Sequence, residues 1–233
     1  MEGTTSRWLR RASAAVAIAL AALVPAVVGG TSPAGAQAGA DPILFVHGWN
    51  SSASTWNTMI DRFVAAGYPR SRLSAFTYNS NQSNATIAQQ VRSAADALRA
   101  STGASRVDIV THSMGGLSGR YYIKNLGGTT YVDEFVSLGG PNHGTNWAYA
   151  CYVFSAGCRD MIPNSGFLNA LNSGDETPGT VRYGAFYSTC DEIINPDTST
   201  RLDGADNREV GCLSHSALRT DAGVFATVRT FVA

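Results

Sequence analysis

The sequence predicts an α/β fold in which a mostly parallel sheet is covered by helices on both faces. Short apolar runs typical of strands alternate with segments of helical periodicity along the chain. The connections are long enough to be the crossover helices that parallel strands require. About 200 residues remain after position 36, which is the size of one domain with a substantial core.

The first half of the chain contains two strand-and-helix units. Residues 42–46 are a continuous apolar run, and apolar residues then recur at helical spacing over 54–67, where Ser54 is the cap and Gly67 ends the helix. Residues 73–78 predict a second strand. The apolar positions of residues 87–98 mark an amphipathic helix that we expect to stop near Gly103.

The alternation continues to the end of the chain, interrupted by one longer irregular stretch between Gly140 and Val181. The remaining predicted elements are, in chain order, a strand over 107–111, a helix over 114–125, strands over 132–138, 181–189 and 209–213, and a helix over 221–232. Ligand sites in such folds lie beyond the carboxyl ends of the strands. The loops that follow the strands are therefore where functional residues are expected.

The amino terminus has the pattern of a secretory signal peptide. Three arginines within the first eleven residues precede an apolar run over 14–28, and small residues follow at 34–36. A transmembrane anchor is the alternative, but the run is short and no stop-transfer flank follows it. We expect a signal peptide over 1–36, cleavage between 36 and 41, and a secreted, extracellular single domain over 37–233.

The charge balance argues against nucleic acid as a partner. Removing Arg7, Arg10, Arg11 and Glu2 from the 17 basic and 17 acidic residues leaves 14 basic and 16 acidic residues. A nucleic-acid-binding domain would carry a clear basic excess. We expect a monomer with no transmembrane anchor after processing.

Four cysteines lie in the mature region, an even number that predicts two disulfides in an exported chain. Three pairings are possible in principle, and four buried free thiols are the remaining alternative. Cys151 and Cys158 enclose a short loop, whereas Cys190 and Cys212 lie in two segments that we expect to be neighbours. We therefore predict the pairs Cys151–Cys158 and Cys190–Cys212.

The segment from Val107 to Gly116 is an apolar strand that turns through Ser113 directly into a helix. This is the pattern of a nucleophile elbow, in which a strained turn exposes a serine and leaves room only for small neighbours such as Gly115. The residue two before the serine is Thr111 rather than the usual glycine. An ordinary turn serine is the alternative, and the position between strand and helix disfavours it.

A serine hydroxyl needs a base to become nucleophilic, and the base needs an orienting carboxylate. In this class of fold the chain order is serine, acid, histidine. His215 follows the last predicted strand, and Asp191 follows the strand over 181–189, so we predict Ser113, Asp191 and His215 as catalytic residues. His143 precedes every plausible acid and is expected to structure a loop near the site.

The other nearby ionisable residues are expected to lie outside the triad. His112 should point away because neighbouring side chains diverge at such a turn, and Glu192 should point to the side opposite Asp191. Asp197 and Asp203 are interpreted as turn residues. For the oxyanion we predict the backbone N–H groups of Met114 and Trp49, since the bare Gly48 lets that loop approach closely; a plain turn is the alternative there.

These residues resemble the small secreted class 2 lipases of bacteria, which include the compact lipase A of bacilli and larger actinobacterial lipases. The resemblance rests on five stretches of the sequence and one histidine: Phe-Val-His-Gly over 45–48, the elbow over 111–116, Ser-Leu-Gly-Gly-Pro-Asn-His-Gly over 137–144, Tyr-Ser-Thr-Cys-Asp over 187–191, Arg-Leu-Asp-Gly-Ala over 201–205, and His215. It implies an α/β-hydrolase fold, the same triad and oxyanion positions, and hydrolysis of acylglycerol esters without a cofactor. We expect no metal site, because no loop shows converging oxygen ligands.

Two departures limit what the resemblance implies. The stretch between Gly140 and Val181 is longer than in the most compact members and carries the Cys151–Cys158 loop, so the resemblance does not imply an active site without a cap. The segment over 213–218 is polar for a wall of an acyl groove. A polyester hydrolase or acyltransferase with the same triad is the alternative enzyme, and a non-catalytic binding module is disfavoured because every triad position is filled.

Overall fold

Within the residues that the computed structural model describes, 1–2 and 40–233, six strands form one parallel sheet in the order β2-β1-β3-β4-β5-β6. The strands are β1 Ile43–Val46, β2 Leu73–Ala75, β3 Val107–His112, β4 Val132–Leu138, β5 Arg182–Tyr187 and β6 Asp206–Glu209. The predicted parallel α/β sheet is thereby confirmed. Apart from its first two residues, the predicted signal peptide over 1–36 lies outside the described residues.

Helices cover both faces of the sheet. They are α1 Asn57–Ala65, α2 Asn84–Thr102, α3 Gly115–Asn125, α4 Ala156–Met161, α5 Gly166–Asn172 and α6 Ala222–Phe231. None of the helices between residues 40 and 233 has the length and apolar character required to cross a bilayer.

The apolar residues of the strands supply two cores, one on each face. In β1, Leu44 and Val46 belong to the cluster beneath α2 and α3, whereas Ile43 and Phe45 belong to the cluster beneath α1 and α6. Successive side chains of a strand point to opposite faces, so a strand covered on both sides must be apolar throughout. All four residues are fully buried, which explains why β1 is a continuous apolar run.

Local signals place the helix ends. The Ser83 hydroxyl accepts a hydrogen bond from the Thr86 N–H at the start of α2, and Gly103 ends that helix with a φ of 68°. Asp221 caps α6 in the same way by accepting from the N–H groups of Gly223 and Val224. The end of α2 at Gly103 and the bounds of α6 agree with the prediction, whereas α2 begins at Asn84, three residues before its first predicted apolar position.

Three sequence-based expectations about elements are wrong. The last strand is Asp206–Glu209 rather than 209–213, because β6 is a polar edge strand that apolar periodicity does not reveal. The second strand covers only Leu73–Ala75 of the expected 73–78. The stretch between Gly140 and Val181, expected to be irregular, contains the short helices α4 and α5.

Candidate active site

Ser113 lies in a sharp turn between β3 and α3. Its φ of 55° is in the left-handed region, which costs a non-glycine residue about 1–3 kcal/mol. The Ser113 N–H donates to the Leu138 carbonyl oxygen and its own carbonyl accepts from Gly116, both at 2.9 Å. A Cβ on Gly115 would lie 2.4 Å from the His47 carbonyl oxygen, so only glycine fits there. The turn has the strained strand-to-helix geometry predicted for it.

The loop after β1 lies directly against the serine. A Cβ on Gly48 would lie 2.8 Å from the Cβ of Ser113, so this close approach also requires glycine. The backbone N–H groups of Trp49 and Met114 donate to no acceptor within residues 40–233. Two backbone donors beside Ser113 are thus left available to a ligand.

His47 fixes the peptide that carries one of these donors. Its Nδ1 donates to the Gly48 carbonyl oxygen at 2.7 Å, and its Nε2 accepts from the Tyr78 N–H at 3.3 Å. The C=O and N–H of a trans peptide point in opposite directions, so holding the Gly48 carbonyl also orients the Trp49 N–H. Burial lowers the pKa of His47, which favours the neutral imidazole that these two bonds require.

His215 and Asp191 form a direct pair. The His215 Nδ1–H donates to Asp191 Oδ2 at 2.7 Å, while Asp191 Oδ1 accepts from the backbone N–H groups of Ile193 and Ile194 at 2.9 and 3.0 Å. The Asp191 side chain is 2% exposed. Three hydrogen bonds therefore fix the buried carboxylate, and the carboxylate orients the imidazole.

Two further residues hold the backbone of His215, and sequence reasoning missed both. The His112 Nε2–H donates to the His215 carbonyl oxygen at 2.9 Å, with the two ring centroids 4.5 Å apart. Glu192 Oε2 accepts from the His215 N–H at 3.0 Å. The expectations that His112 points elsewhere and that Glu192 points to the opposite side are wrong. Burial, with a smaller contribution from the neighbouring His215, holds the pKa of His112 well below its usual value, so His112 is a neutral donor.

Gly139, which follows β4, packs against the His215–Asp191 pair. Its φ is 56°, and an added Cβ would lie 3.0 Å from Asp191 Oδ2 and 3.3 Å from His215 Nδ1. Glycine alone combines this backbone conformation with the space that the pair requires. The Gly139-Gly140 pair in the sequence was a signal for such a close approach.

Ser113 and His215 line the same cavity, of about 240 Å³, although no hydrogen bond joins their side chains among the described residues. Catalytic hydrogen bonds are often long without substrate and tighten when it binds. The rest of this cavity is mainly apolar, with walls formed by Trp49, Trp147, Met161, Ile193 and Ile194. Its position and apolar lining suit the hydrocarbon chain of a substrate whose reacting group lies at Ser113.

A second cavity, of about 190 Å³, also reaches Ser113 and His215. Its other walls include the polar side chains of Ser51, Ser216 and Arg219. Ser113 thus borders a mainly apolar cavity and a second cavity with more polar walls. An ester whose two sides differ in polarity would fit across both.

The remaining candidates lie apart from this pair. His143 Nε2 is 2.9 Å from Glu176 Oε1, and this hydrogen bond raises the pKa of His143. The Asp203 N–H donates to the other oxygen of Glu176, and Asp197 begins a short 3-10 helix. None of these residues hydrogen-bonds to the side chain of Ser113 or His215 within the described chain.

The structure contains the disulfides Cys151–Cys158 and Cys190–Cys212, which are the pairs expected from the sequence. The second joins the loop of Asp191 to the loop of His215, because each cysteine lies within three residues of one of them. Such a link restricts the separation of the two loops in the unfolded chain as well as in the folded one.

An acidic cluster lies at the opposite, amino-terminal end of the sheet. Asp41, Asp108 and Asp133 each place one carboxylate oxygen within 4.8 Å of the others. Asp108 is 2% exposed, and burial together with the neighbouring carboxylates holds its pKa well above the usual value. Asp108 is near the start of β3, whereas Ser113 follows the end of that strand. The cluster is therefore expected to affect the stability of the fold rather than the reaction at Ser113.

The parallel sheet, the strained serine turn and the histidine–carboxylate pair at the carboxyl edge define the class of the α/β-hydrolases. The family model for lipase (class 2) matches residues 40–216 of this sequence. The chain belongs to the class 2 lipase family and is a carboxylic ester hydrolase. The predicted family and class of enzyme are thereby confirmed.

Solved structures with the same fold include several lipolytic enzymes. The mature lipase BlEst2 of Bacillus licheniformis is 17% identical, with a TM-score of 0.73 over 83% of this chain and 92% of that one. Lipase B of Aspergillus fumigatus is 20% identical, with a TM-score of 0.69 over 83% of this chain and 52% of that one. Phospholipase PlaB of Legionella pneumophila is 16% identical, with a TM-score of 0.63 over 83% of this chain and 57% of that one. At these identities the likeness concerns the fold.

Proposed function

We propose that this protein is a serine lipase or carboxylesterase that hydrolyses fatty-acid esters such as acylglycerols through an acyl-enzyme on Ser113. The observation that carries the proposal is the 2.7 Å contact between His215 Nδ1 and Asp191 Oδ2, in a cavity that Ser113 also lines. The match of the class 2 lipase family over residues 40–216 supports a lipid ester as the substrate.

In this mechanism the Ser113 Oγ attacks the ester carbonyl carbon while its proton passes to His215 Nε2. The backbone N–H groups of Trp49 and Met114 stabilise the oxyanion of the tetrahedral intermediate. His215 then gives the proton to the departing alkoxide, which leaves as an alcohol. Water repeats the sequence on the acyl-enzyme, releases a carboxylic acid and restores the serine. The Asp191 carboxylate stabilises the imidazolium that forms twice in the cycle.

His112 and Glu192 act as positioning residues. One holds the carbonyl of His215 and the other its N–H, at 2.9 and 3.0 Å. Asp191 thus restrains the imidazole ring of His215, while the backbone N–H and C=O groups of His215 are held by Glu192 and His112. His112 precedes Ser113 in the chain and Glu192 follows Asp191, and both hydrogen-bond to the backbone of His215. These bonds link the three loops that carry the triad.

The two cavities that Ser113 borders divide the substrate. The apolar cavity, walled by Trp147, Met161 and Ile193, binds the acyl chain. The polar cavity, with Ser216 and Arg219, receives the alcohol portion, whose oxygen atoms need hydrogen-bond partners. Esters of glycerol combine the two properties.

Replacing the nucleophile tests the mechanism. In Ser113→Ala we expect hydrolysis of p-nitrophenyl butyrate to fall by about 10⁴-fold or more, with an unchanged melting temperature. A fluorophosphonate probe should label the parent protein and the control Ser93→Ala, which alters an exposed serine of α2, but not Ser113→Ala. Retained turnover in Ser113→Ala would remove Ser113 from the reaction.

We also propose that the chain is exported as a monomer after removal of its amino-terminal signal peptide. The basic and apolar pattern of the first 36 residues supports export, and the two disulfides suit an oxidising compartment. Intact mass measurement of the secreted protein should place the new amino terminus between residues 36 and 41. A cytoplasmic protein of full length would contradict this.

A further inference from the structure

Exposed apolar side chains are concentrated in one short stretch of the chain. Of the seven large hydrophobic residues that are exposed in the described structure, four lie within residues 149–154, here called the aromatic segment. Tyr149, Tyr152, Val153 and Phe154 are 55%, 41%, 77% and 66% exposed. Contiguous exposed apolar side chains on a protein surface indicate an interaction site, whereas isolated ones do not.

The base of the aromatic segment is fixed, although its tip is exposed. The Cys151–Cys158 disulfide closes it, and both sulfur-bearing residues are buried. Ser155, fully buried, accepts a hydrogen bond from Trp49 Nε1 at 3.2 Å, and the Ala156 N–H donates to the Asn81 carbonyl oxygen at 2.9 Å. The exposed side chains therefore stand on a braced loop.

Aromatic contacts connect the aromatic segment to the active-site cavity. The ring of Phe154 lies 6.3 Å from that of Trp49, and Trp49 lies 5.4 Å from Trp147, measured between centroids. Trp49 and Trp147 both line the apolar cavity that contains Ser113. An apolar surface thus continues from the solvent-exposed tip into the space beside the serine.

We propose that the aromatic segment is a fixed docking surface for an uncharged lipid–water interface, which it places against the opening of the acyl cavity. Residues 144–158 contain no acidic or basic side chain, and the adjacent Arg159 donates from its guanidinium to the Tyr152 carbonyl oxygen at 2.9 Å, so the surface carries little charge with which to select an anionic membrane. Tyrosine and phenylalanine side chains suit the boundary between water and lipid. Because the loop is braced, docking increases access to lipid ester without the opening of a lid, and soluble esters reach Ser113 unaided. This inference rests on the proposed function.

Charged substitutions at the tip test the proposal. Val153→Asp and Phe154→Asp should each weaken binding to phosphatidylcholine-coated triolein droplets by about tenfold, since each removes a side chain buried in the interface. Turnover of emulsified triolein should fall in parallel, whereas kcat/KM for monomeric p-nitrophenyl butyrate should stay within twofold. Phe154→Leu should retain binding. Val64→Asp, at an exposed valine of α1, is the matched control and should behave like the parent protein.

Several results would overturn the inference. These are unaltered droplet binding in both aspartate variants, an equal loss in Val64→Asp, a tenfold gain from adding phosphatidylglycerol, or a dimer in sedimentation that Phe154→Asp dissociates. Ser113→Ala separates this proposal from the proposed function. If the parent protein hydrolyses soluble ester without binding droplets, docking fails alone; if Ser113→Ala binds droplets and the parent protein hydrolyses no ester, the catalytic proposal fails alone.

Discussion

Removing the donor of His112 should reduce catalysis more than it reduces substrate binding. The His112 Nε2–H and the His215 carbonyl oxygen are 2.9 Å apart in a buried site. In His112→Phe the ring remains but the carbonyl loses its partner, which costs about 1–3 kcal/mol of folding free energy. For a domain of this size that corresponds to a melting temperature lowered by about 2–12 °C.

The effect on the rate follows from the position of the base. A displacement of about 1 Å in a catalytic group can cost about 100-fold in rate. We therefore expect kcat for p-nitrophenyl butyrate to fall between about 10- and 100-fold in His112→Phe, with KM little changed. His112→Gln, whose side-chain amide can still donate to the carbonyl, should recover most of that loss.

Steady-state kinetics and thermal melts of His112→Phe, His112→Gln and the control His143→Phe decide the matter. His143 bonds Glu176 away from the site, so its variant should keep its kcat. The reasoning is refuted if His112→Phe keeps kcat within twofold while its melting temperature falls, because the bond would then serve stability alone. Equal impairment of the two His112 variants would refute it as well.

Three further predictions concern the cavity, the catalytic pair and the acidic cluster. Ile193→Trp should fill part of the apolar cavity, so a chain-length series should show butyrate esters retained and octanoate or longer esters reduced at least tenfold; a uniform loss would contradict this. Gly139→Ala should displace the His215–Asp191 pair and lower kcat by at least tenfold. An unchanged kcat would show that the loop after β4 can shift to make room for the added methyl group. The pKa of Asp108 is raised in the folded state by burial, so its stabilising protonated form is lost as pH rises above the ordinary carboxyl range. Asp108→Asn should therefore gain melting temperature over the parent protein between pH 4 and pH 8, and a difference independent of pH would contradict the assignment.

Much of the fold could be read from local patterns. The apolar runs of β1, β3 and β4, and the helical spacing of α2, report burial directly, because a strand covered on both faces and an amphipathic helix each impose a period on the sequence. β6 escaped detection because its Asp-Asn-Arg-Glu sequence is exposed at the sheet edge. Pairing with β5 stabilises that strand through backbone hydrogen bonds, which leave no apolar pattern.

By itself, the sequence determined the alternation of strands and helices, the serine at a strand-to-helix turn and the order of serine, acid and histidine. These features depend on neighbouring residues or on the order of residues along the chain, so they can be recognised in the sequence alone. Only the tertiary structure decided that His112 and Glu192 hydrogen-bond to the backbone of His215, that residue 139 must be glycine, and that Ser113 borders both a mainly apolar cavity and a more polar one. Each of these depends on side-chain directions and on contacts between segments far apart in the chain, for which residue spacing carries no information.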